Sequence, residues 1–332
     1  MKTLRKIVLL IIFTLFSFIL TGFDTKTTAV STDQYVGRVQ LGGDTIGIQI
    51  KTNIEIVGKY EIVVDNNKIK PWENSNIEEG DYIYSIDNVM VKSNNELNEI
   101  LRTTKKNKLL LVLIRNDEMI ETYIDVVKNV NNVNSLGLYI KDHITGIGTL
   151  TFINPETNKY GALGHSVSDA LGKGDLYESS IKGVKKAIRG VPGEKYATLS
   201  PEKIGTIEEN NNIGIFGVYN KKIDNEYINV LKRENITTGK AQIATVINGN
   251  IIKNYDIEII EVAKQENVNI KGIKFKVVDK ELLELTGGII QGMSGSPIIQ
   301  NGCLVGAVSH VIVNDPSLGY GVFAEWMYNE TK

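Results

Sequence analysis

The larger, carboxyl-terminal part of the chain consists of short apolar segments separated by corners that often contain glycine. Between residues 135 and 332 no long amphipathic helical repeat occurs, and only 323–331 could form a short helix. Five examples are each short enough to be a single strand: 203–207, 213–218, 240–247, 255–262 and 272–278. Short strands at this spacing are typical of an all-β barrel or sandwich. We therefore predict a mainly β fold.

Composition excludes several classes of function. The chain has 332 residues, of which 37 are basic and 39 acidic, for a net charge of −2. The length allows about two domains, and the even charge balance argues against a nucleic-acid partner. The one cysteine, Cys303, excludes an internal disulfide and is predicted to be a buried small apolar side chain. Neither zinc-ligand spacing nor a Walker-type phosphate loop is present, so we expect no metal and no cofactor.

The amino terminus has the pattern of an export signal. Lys2, Arg5 and Lys6 precede an uncharged apolar run over residues 7–20. No small-x-small cleavage site follows, which favours an uncleaved signal anchor over residues 1–23, although a cleaved signal peptide remains an alternative. In either case the body of the protein is expected on the far side of the membrane. The polar residues 24–35 are predicted to be a linker.

Residues 36–130 are predicted to form a small module of short strands. A capping-box pattern at Ser93–Glu96 predicts a helix, and an apolar strand and a hairpin follow it. This order resembles a PDZ domain. The resemblance rests on Ile46, Gly47 and Ile48, which are similar to the carboxylate-binding loop, and on the segment 80–87. It implies peptide binding at Ile46, Gly47 and Ile48, by addition of a peptide strand. The alternative is a β-rich spacer.

The segment Gly292-Met293-Ser294-Gly295-Ser296-Pro297 is the strongest candidate for chemistry. Glycines beside a serine permit a tight bend with unobstructed backbone N–H groups. The N–H groups of Gly292 and Ser294 are therefore predicted to form an oxyanion hole, with Ser294 as a nucleophile in acyl transfer. The alternative is an ordinary turn between two strands.

A serine nucleophile needs a base, and three histidines are available. His165 follows a glycine corner, His310 ends an apolar strand, and His143 lies in a polar segment. We favour His165, because a histidine upstream of the serine matches the chain order of chymotrypsin-type double barrels. The residues leave open which aspartate would orient this histidine. Five lie between the histidine and the serine: Asp169, Asp175, Asp224, Asp256 and Asp279.

A series of motifs in the larger part of the chain resembles the stage IV sporulation protein B family. In order these are 161–165 with the histidine, 278–283, 286–297 with the serine, 306–311, 314–321 and 325–327. The resemblance implies a membrane segment, then a PDZ domain, then a chymotrypsin-like β-barrel serine peptidase domain at residues 135–332. It also implies that His165 is the base, Ser294 the nucleophile and Asp279 the third member of the triad.

The place of Asp279 in the chain raises a difficulty for that assignment. Asp279 lies only 15 residues before Ser294, whereas chymotrypsin-like peptidases carry the triad aspartate in the first barrel. Asp224 and Asp256 therefore stay open as alternatives.

The family resemblance also implies a biological role. Its members are exported serine endopeptidases that act in the space between the two membranes around the forespore. They cleave themselves and then a membrane-bound regulatory protein, which leads through an intramembrane protease to a late sporulation sigma factor. Two alternatives are a non-catalytic PDZ adaptor and a general quality-control protease, although the latter usually carries its PDZ domains after the peptidase.

Overall fold

The computed structural model describes residues 32–168, 172–222 and 224–332. The predicted signal anchor at residues 1–23, most of the predicted linker and Asp169 lie outside the described residues. In the described part of the chain, no helix is both long and apolar enough to cross a bilayer.

Short alternating segments form strands as expected. A 3-10 turn covers Thr32–Gln34. The following elements, in chain order, are β1 Tyr35–Leu41, β2 Thr45–Lys59, β3 Ile62–Val64, β4 Asn67–Ile69, β5 Tyr82–Ile86, β6 Val89–Met90, α1 Asn94–Thr103, β7 Lys108–Arg115, β8 Glu118–Asp125, β9 Val127–Lys128, β10 Asn134–Ser135 and β11 Leu138–Ile153.

The remaining elements belong to the region rich in glycine corners. They are β12 Lys159–Ala162, β13 Gly174–Lys185, β14 Glu194–Ile207, β15 Glu209–Asn211, β16 Gly214–Val218, β17 Tyr227–Leu231, β18 Gly239–Val246, β19 Ile252–Val262, β20 Ile273–Val277, α2 Lys280–Thr286, β21 Pro297–Gln300, β22 Cys303–Val311, β23 Leu318–Phe323 and α3 Ala324–Asn329. A second 3-10 turn covers Arg233–Asn235. The prediction of a mainly β fold is confirmed.

Six of the described strands close into an antiparallel barrel. Strand β18 pairs with β19, β19 with β20, β20 with β23, β23 with β22, β22 with β21, and β21 with β18. Buried aliphatic and aromatic side chains fill its interior, among them Ile243, Phe275, Met293 and Ile298. Closure of the ring leaves no free strand edge and positions the segment before β21, which carries Ser294.

Another ring, called the first barrel because it begins earlier in the chain, is built from strands on both sides of the small module. The six-stranded barrel of β18 to β23 is called the second barrel. Strand β2 pairs with β11 and β13, β11 with β12, β12 with β16, and β13 with β14. A bridge between Gly205 and Tyr219 and the hydrogen bond from Asn220 N–H to Ile204 O (2.8 Å) close this ring. Between the two barrels lies a separate apolar cluster that includes Phe152 and Met327 of α3.

The small module has a core of its own. Helix α1 buries Leu97 and Leu101 against the sheet formed by β5 and β7, as the capping box predicted. Ser93 caps this helix by accepting a hydrogen bond from Glu96 N–H (3.2 Å).

The expected division into domains 36–130 and 135–332 does not match the strand pairing. Strands β1 and β2 pair with strands of the larger part of the chain. The first half of β2 packs in the barrel with Leu150 and Leu176, whereas Ile54 and Ile56 pack in the small module. Strand β11 likewise begins against β2 in the module and continues into the barrel. The module is therefore an insertion between two strands of one barrel, and it begins and ends in a shared ladder.

Two further details bear on the sequence predictions. Cys303 is buried at the start of β22, and burial raises the pKa of its thiol, so the prediction of a buried apolar side chain is confirmed. Helix α2, just before the serine turn, was not expected. Asp279 caps its amino terminus, and Gly287 ends it in a left-handed conformation with φ of 74°.

Candidate active site

The serine turn leaves no room for side chains at its glycines. Gly292 and Gly295 have φ of 92° and 91°, a region that favours glycine. A Cβ atom on Gly295 would lie 2.1 Å from the carbonyl oxygen of Thr149 and 2.4 Å from the nitrogen of Leu163. Ser294 is half-buried at the top of this bend. The turn is thus pressed directly against β11 and against the corner that precedes His165.

Hydrogen bonds to β11 and β22 fix the backbone of the turn. Thr149 donates from its N–H to Ser294 O (2.9 Å) and from its hydroxyl to Gly292 O (2.8 Å). The hydroxyl of Thr151 donates to Gly295 O (2.7 Å), and Gly295 N–H donates to Val308 O (2.7 Å). Both threonines are fully buried, so these bonds form away from water, where leaving a carbonyl unpaired is costly.

The two predicted oxyanion donors are unengaged. Neighbouring N–H groups of the turn bond to main-chain carbonyls, such as Met293 to Ile290 (3.1 Å). Within the described residues, the N–H groups of Gly292 and Ser294 make no hydrogen bond. A turn whose carbonyls are all fixed while two N–H groups stay available can stabilise a developing oxyanion without rearranging.

His165 lies just beyond a strained corner. Leu163 and Gly164 both have positive φ, 69° and 70°, and a left-handed leucine costs free energy. A Cβ on Gly164 would approach Val308 O to 3.0 Å, so this corner sits on the same strand that holds the serine turn. Since Leu163 also touches Gly295, the histidine and the serine stand on adjoining corners, one from each barrel.

The imidazole of His165 is oriented by a main-chain carbonyl. Its Nδ1 lies 2.7 Å from Ser166 O, and because a carbonyl only accepts, Nδ1–H is the donor. The neutral ring then carries an unprotonated Nε2, which is the form that a general base requires. Among the described residues, Ser294 Oγ makes no hydrogen bond, a common state of catalytic contacts in structures without substrate.

Asn210 holds the loop that follows the histidine. Its Oδ1 accepts from Val167 N–H and its Nδ2 donates to Val167 O, both at 2.8 Å. This two-way pairing fixes the peptide next to the Ser166 carbonyl. The sequence shows only an asparagine run at 210–212, so nothing in it marks this residue.

Asp279 does not contact His165. Its Oδ1 accepts from Leu282 N–H (2.9 Å) as the cap of α2, and its Oδ2 accepts from Asp256 N–H (3.3 Å). Its role as third triad member, which the family resemblance implies, stays a prediction.

Asp256 and Asp175 also have partners of their own, and Asp224 lines a separate cleft. Asp256 accepts from the Gln242 amide (2.8 Å), and Asp175 forms an ion pair with Lys203. Asp224 lines a surface cleft together with Asp44. Within the described residues, no carboxylate is hydrogen-bonded to His165.

The other two histidines differ in position. The His310 ring lies 5.4 Å from that of His165, and burial, followed by coulombic interaction with His165 and Lys271, lowers the pKa of His310. His143 bonds to Asp142 (2.8 Å) on β11 and pairs across to Lys51, in the shared ladder. Of the three, His165 alone follows the corner that touches the serine turn.

The structure corrects the prediction of a peptide-binding loop. Ile46, Gly47 and Ile48 lie near the start of β2, with β11 on one edge and β13 on the other. The two isoleucines are buried in the barrel core. Adding a peptide strand needs a free edge, and both edges are occupied here, so these residues cannot bind one.

Strand β11 lies between β2 and α1 in the small module. Tyr139 and Ile140 pair with Gly58 and Ile56 of β2, and β11 also lies against α1. Asn94 N–H, in the first turn of that helix, donates to Asp142 Oδ2 (2.7 Å). A cleft remains between this helix and β11, lined by Leu97 and Leu101 of α1 and by Tyr139 and Ile140 of β11.

No group of three or more metal-ligating side chains occurs within residues 32–168, 172–222 and 224–332.

Comparison with known proteins bears on the larger part of the chain. The model of the SpoIVB peptidase S55 family matches residues 132–328. No curated protein matches the chain significantly.

Solved structures similar to this chain include two forms of one bacterial protease. The Rv3671c protease from M. tuberculosis in its active form is 15% identical, covers 56% of this chain and 72% of its own, and has a TM-score of 0.36. An alanine mutant of Rv3671c from M. tuberculosis H37Rv in an inactive form is 14% identical, covers 56% and 82%, and has a TM-score of 0.35. The family match extends over more than half of the chain and includes the His165 corner and the Ser294 turn. The chain belongs to the SpoIVB peptidase S55 family, and it is a serine peptidase.

Proposed function

We propose that the protein is an exported serine endopeptidase that cleaves itself and then a membrane-bound regulatory protein. Through an intramembrane protease, that second cleavage signals activation of a late sporulation sigma factor. Membership of the family supports the signalling role, and the basic residues and apolar run at the amino terminus support export. The protein then acts in the space between the forespore membranes, anchored or released.

The serine turn carries the mechanism that we propose. Ser294 Oγ attacks the peptide carbonyl while His165 Nε2 takes its proton, and the N–H groups of Gly292 and Ser294 receive the oxyanion. His165 then protonates the leaving amine, and water releases the acyl group by the same steps in reverse. The observation that supports this best is the pair of unengaged donors beside a serine that adjoins the histidine corner.

Met293 separates this turn from that of chymotrypsin-like zymogens, which the fold otherwise resembles. Those proteins carry an aspartate at this place, which pairs with a newly cut amino terminus. Met293 is fully buried in the apolar core of the second barrel and cannot form that pair. Self-cleavage is therefore proposed to release the enzyme from the membrane or from a blocking segment. Equal turnover by the full chain and by a form beginning at Tyr35 would contradict this.

The test is self-processing by the full chain and its Ser294→Ala variant. The amino termini of both purified proteins are mapped, and both are treated with a fluorophosphonate. The wild type is expected to process itself and to be labelled at Ser294. The variant is expected to do neither, because loss of a triad serine costs on the order of a millionfold in turnover.

Ser296→Ala is the matched control, since Ser296 lies two residues away and its buried hydroxyl has no hydrogen-bond partner. This variant is expected to process itself normally. Normal self-processing by Ser294→Ala, or absence of label on the wild type, would contradict the proposal.

A further inference from the structure

A hairpin of the first barrel reaches across to the serine turn. Strands β13 and β14 extend beyond the barrel and are joined by a tip, residues 186–193, that lies on the second barrel. Ala187 N–H donates to Thr286 O (2.8 Å), at the end of α2, and Gly190 N–H donates to Val313 O (2.9 Å). We call β13, the tip and β14 the arm. Its tip is thus attached to the second barrel on two sides.

The tip end of the arm pairs with the residue that precedes the oxyanion donor. Lys195 N–H donates to Gln291 O (3.0 Å), and Gln291 N–H donates to Gly193 O (2.9 Å). Glu194 and Gln291 form a parallel bridge in the same place. The main chain of the arm therefore fixes the peptide immediately before Gly292.

The side chain of Lys195 then lies along Gly292 itself. Its Cδ, Cβ and Cγ atoms would be 3.0, 3.2 and 3.2 Å from a Cβ atom built on Gly292. These methylene groups fill the space next to Gly292. The glycine there has a positive φ of 92°. The lysine is 6% exposed, so water does not compete for this position.

The amine of Lys195 is anchored on the second barrel. Its Nζ donates to the hydroxyl of Thr245 (2.9 Å), on β18, and that threonine is fully buried. Within the described residues no carboxylate forms an ion pair with this amine. Burial lowers the pKa of Lys195 to about 7. Burying an amine without a carboxylate costs folding free energy, which an apolar side chain of similar length, such as methionine, would avoid. Residues that cost stability in this way are typical of functional positions.

We propose that Lys195 is a positioning residue for the oxyanion hole: its methylene stem holds Gly292 in place, and its amine, bound to Thr245, anchors that stem. The inference rests on the proposed roles of Ser294 and Gly292. Through Lys195, the first barrel helps to shape the oxyanion hole of the second.

The test uses the reaction of Ser294 with a fluorophosphonate. In that reaction the serine oxygen bonds to phosphorus, fluoride leaves, His165 takes the proton, and the phosphoryl oxygen lies in the oxyanion hole. The saturating rate, kinact, and the half-saturating concentration, KI, are measured separately. Lys195→Ala is expected to lower kinact by about tenfold to a hundredfold, the size expected for a misplaced oxyanion donor, with KI unchanged. Lys195→Met keeps the stem and is expected to restore most of kinact.

The outcomes separate the inference from the function on which it rests. If the wild type is not labelled, the proposed function fails. If the wild type is labelled and Lys195→Ala reacts with the same kinact, the inference fails. It also fails if Lys195→Met and Lys195→Ala lose kinact to the same extent. Should Lys195→Ala not fold, Thr245→Val takes its place, because it removes the partner of the amine and keeps the volume. A several-fold loss in kinact is expected there, and an unchanged kinact would overturn the inference.

Discussion

The serine side of the candidate site is fixed by buried groups from several directions, whereas the histidine side lies near the surface on a short loop. Thr149 and Thr151 hold the serine turn from one strand, and the arm holds it from another. Among the described residues, His165 has one hydrogen-bond partner, the carbonyl of the next residue, which is held in turn through Asn210. Buried hydrogen bonds resist exchange with water far better than exposed ones do.

This difference in burial matches the different tasks of the oxyanion hole and the histidine. The oxyanion hole must be preorganised to be effective, so it is built into a core. The histidine has to donate and accept a proton and move slightly between the two, which a half-buried side chain beside an exposed loop permits. We therefore expect substitutions on the serine side to affect turnover and stability together, and those on the histidine side to affect mainly turnover.

Thr149→Val should show the largest effect on the serine side. It keeps the side-chain volume but removes the hydroxyl that donates to Gly292 O, which leaves a buried carbonyl unpaired. We expect a loss of about 1–3 kcal/mol in unfolding free energy and about a hundredfold in fluorophosphonate kinact. The control is Thr151→Val, which frees Gly295 O instead. It should cost similar stability and much less in rate; equal losses in rate would contradict the expectation.

Lys195 should make stability depend on pH. Its pKa is about 7 in the folded chain, against 10.5 for an unperturbed lysine, so between these values the unfolded chain binds one more proton. Stability from this group therefore rises with pH, by about 1.4 kcal/mol per unit, from pH 7 towards 10.

This pH dependence is tested by urea unfolding at pH 7, 8 and 9. Relative to the wild type, Lys195→Met should be most stabilised at pH 7, and the difference should shrink as the pH rises. Lys186→Met, at an exposed amine on the arm, should follow the wild type throughout. Parallel curves for wild type and Lys195→Met would show that the amine does not titrate in this range.

Asn210→Ala addresses the histidine side. Without the amide, the peptide at Val167 loses both of its hydrogen bonds, and the carbonyl that orients His165 becomes mobile. We expect kinact to fall about tenfold while unfolding free energy changes by about 1 kcal/mol or less. Asn211→Ala is the control, because Asn211 bonds to Ile213 N–H and Glu330 rather than to this loop. A stability loss as large as that of Thr149→Val would remove the contrast between the two sides.

Asp279→Ser should have the smallest effect and sharpens the comparison most. Serine is as good a helix cap as aspartate, so the cap of α2 is preserved. We expect an unchanged kinact, whereas Asp279→Ala should lose about 1 kcal/mol of stability. If Asp279 instead completes the triad, both variants should lose on the order of 10⁴ in rate. The carboxylate of Asp279 would then have to reach His165 in a conformation other than this one.

Local patterns in the sequence predicted the elements of the site well. Glycines on either side of Ser294 require a tight bend whatever surrounds it, and the continuous apolar run along β22 predicts a strand. Helix α2 was missed although its signals were present, with a capping Asp279 and a terminal Gly287. The helix has only seven residues, too few for its apolar period to stand out in a region rich in strands.

Assembly of the site could not be predicted in the same way. Alternation shows that Thr45–Ile50 form a strand, but not which sheet they join, so Ile46 and Ile48 were expected at a ligand and lie in a barrel core. Lys195 lies in a polar segment that nothing distinguishes from a solvated surface. Its burial depends on how the arm crosses to the other barrel, which is a property of the tertiary structure.

The insertion of the small module between β2 and β11 has a consequence for biosynthesis. Strand β2 leaves the ribosome well before β11 and β13, the two strands that must flank it. The module lies between them in sequence and can fold first, and its ends emerge from it side by side. Folding of the module then brings β11, with Thr149 and Thr151, next to β2. The inserted module can thus hold β2 and β11 together while the chain folds, and a peptidase translated from residue 135 onward would lack β2, a strand of its first barrel.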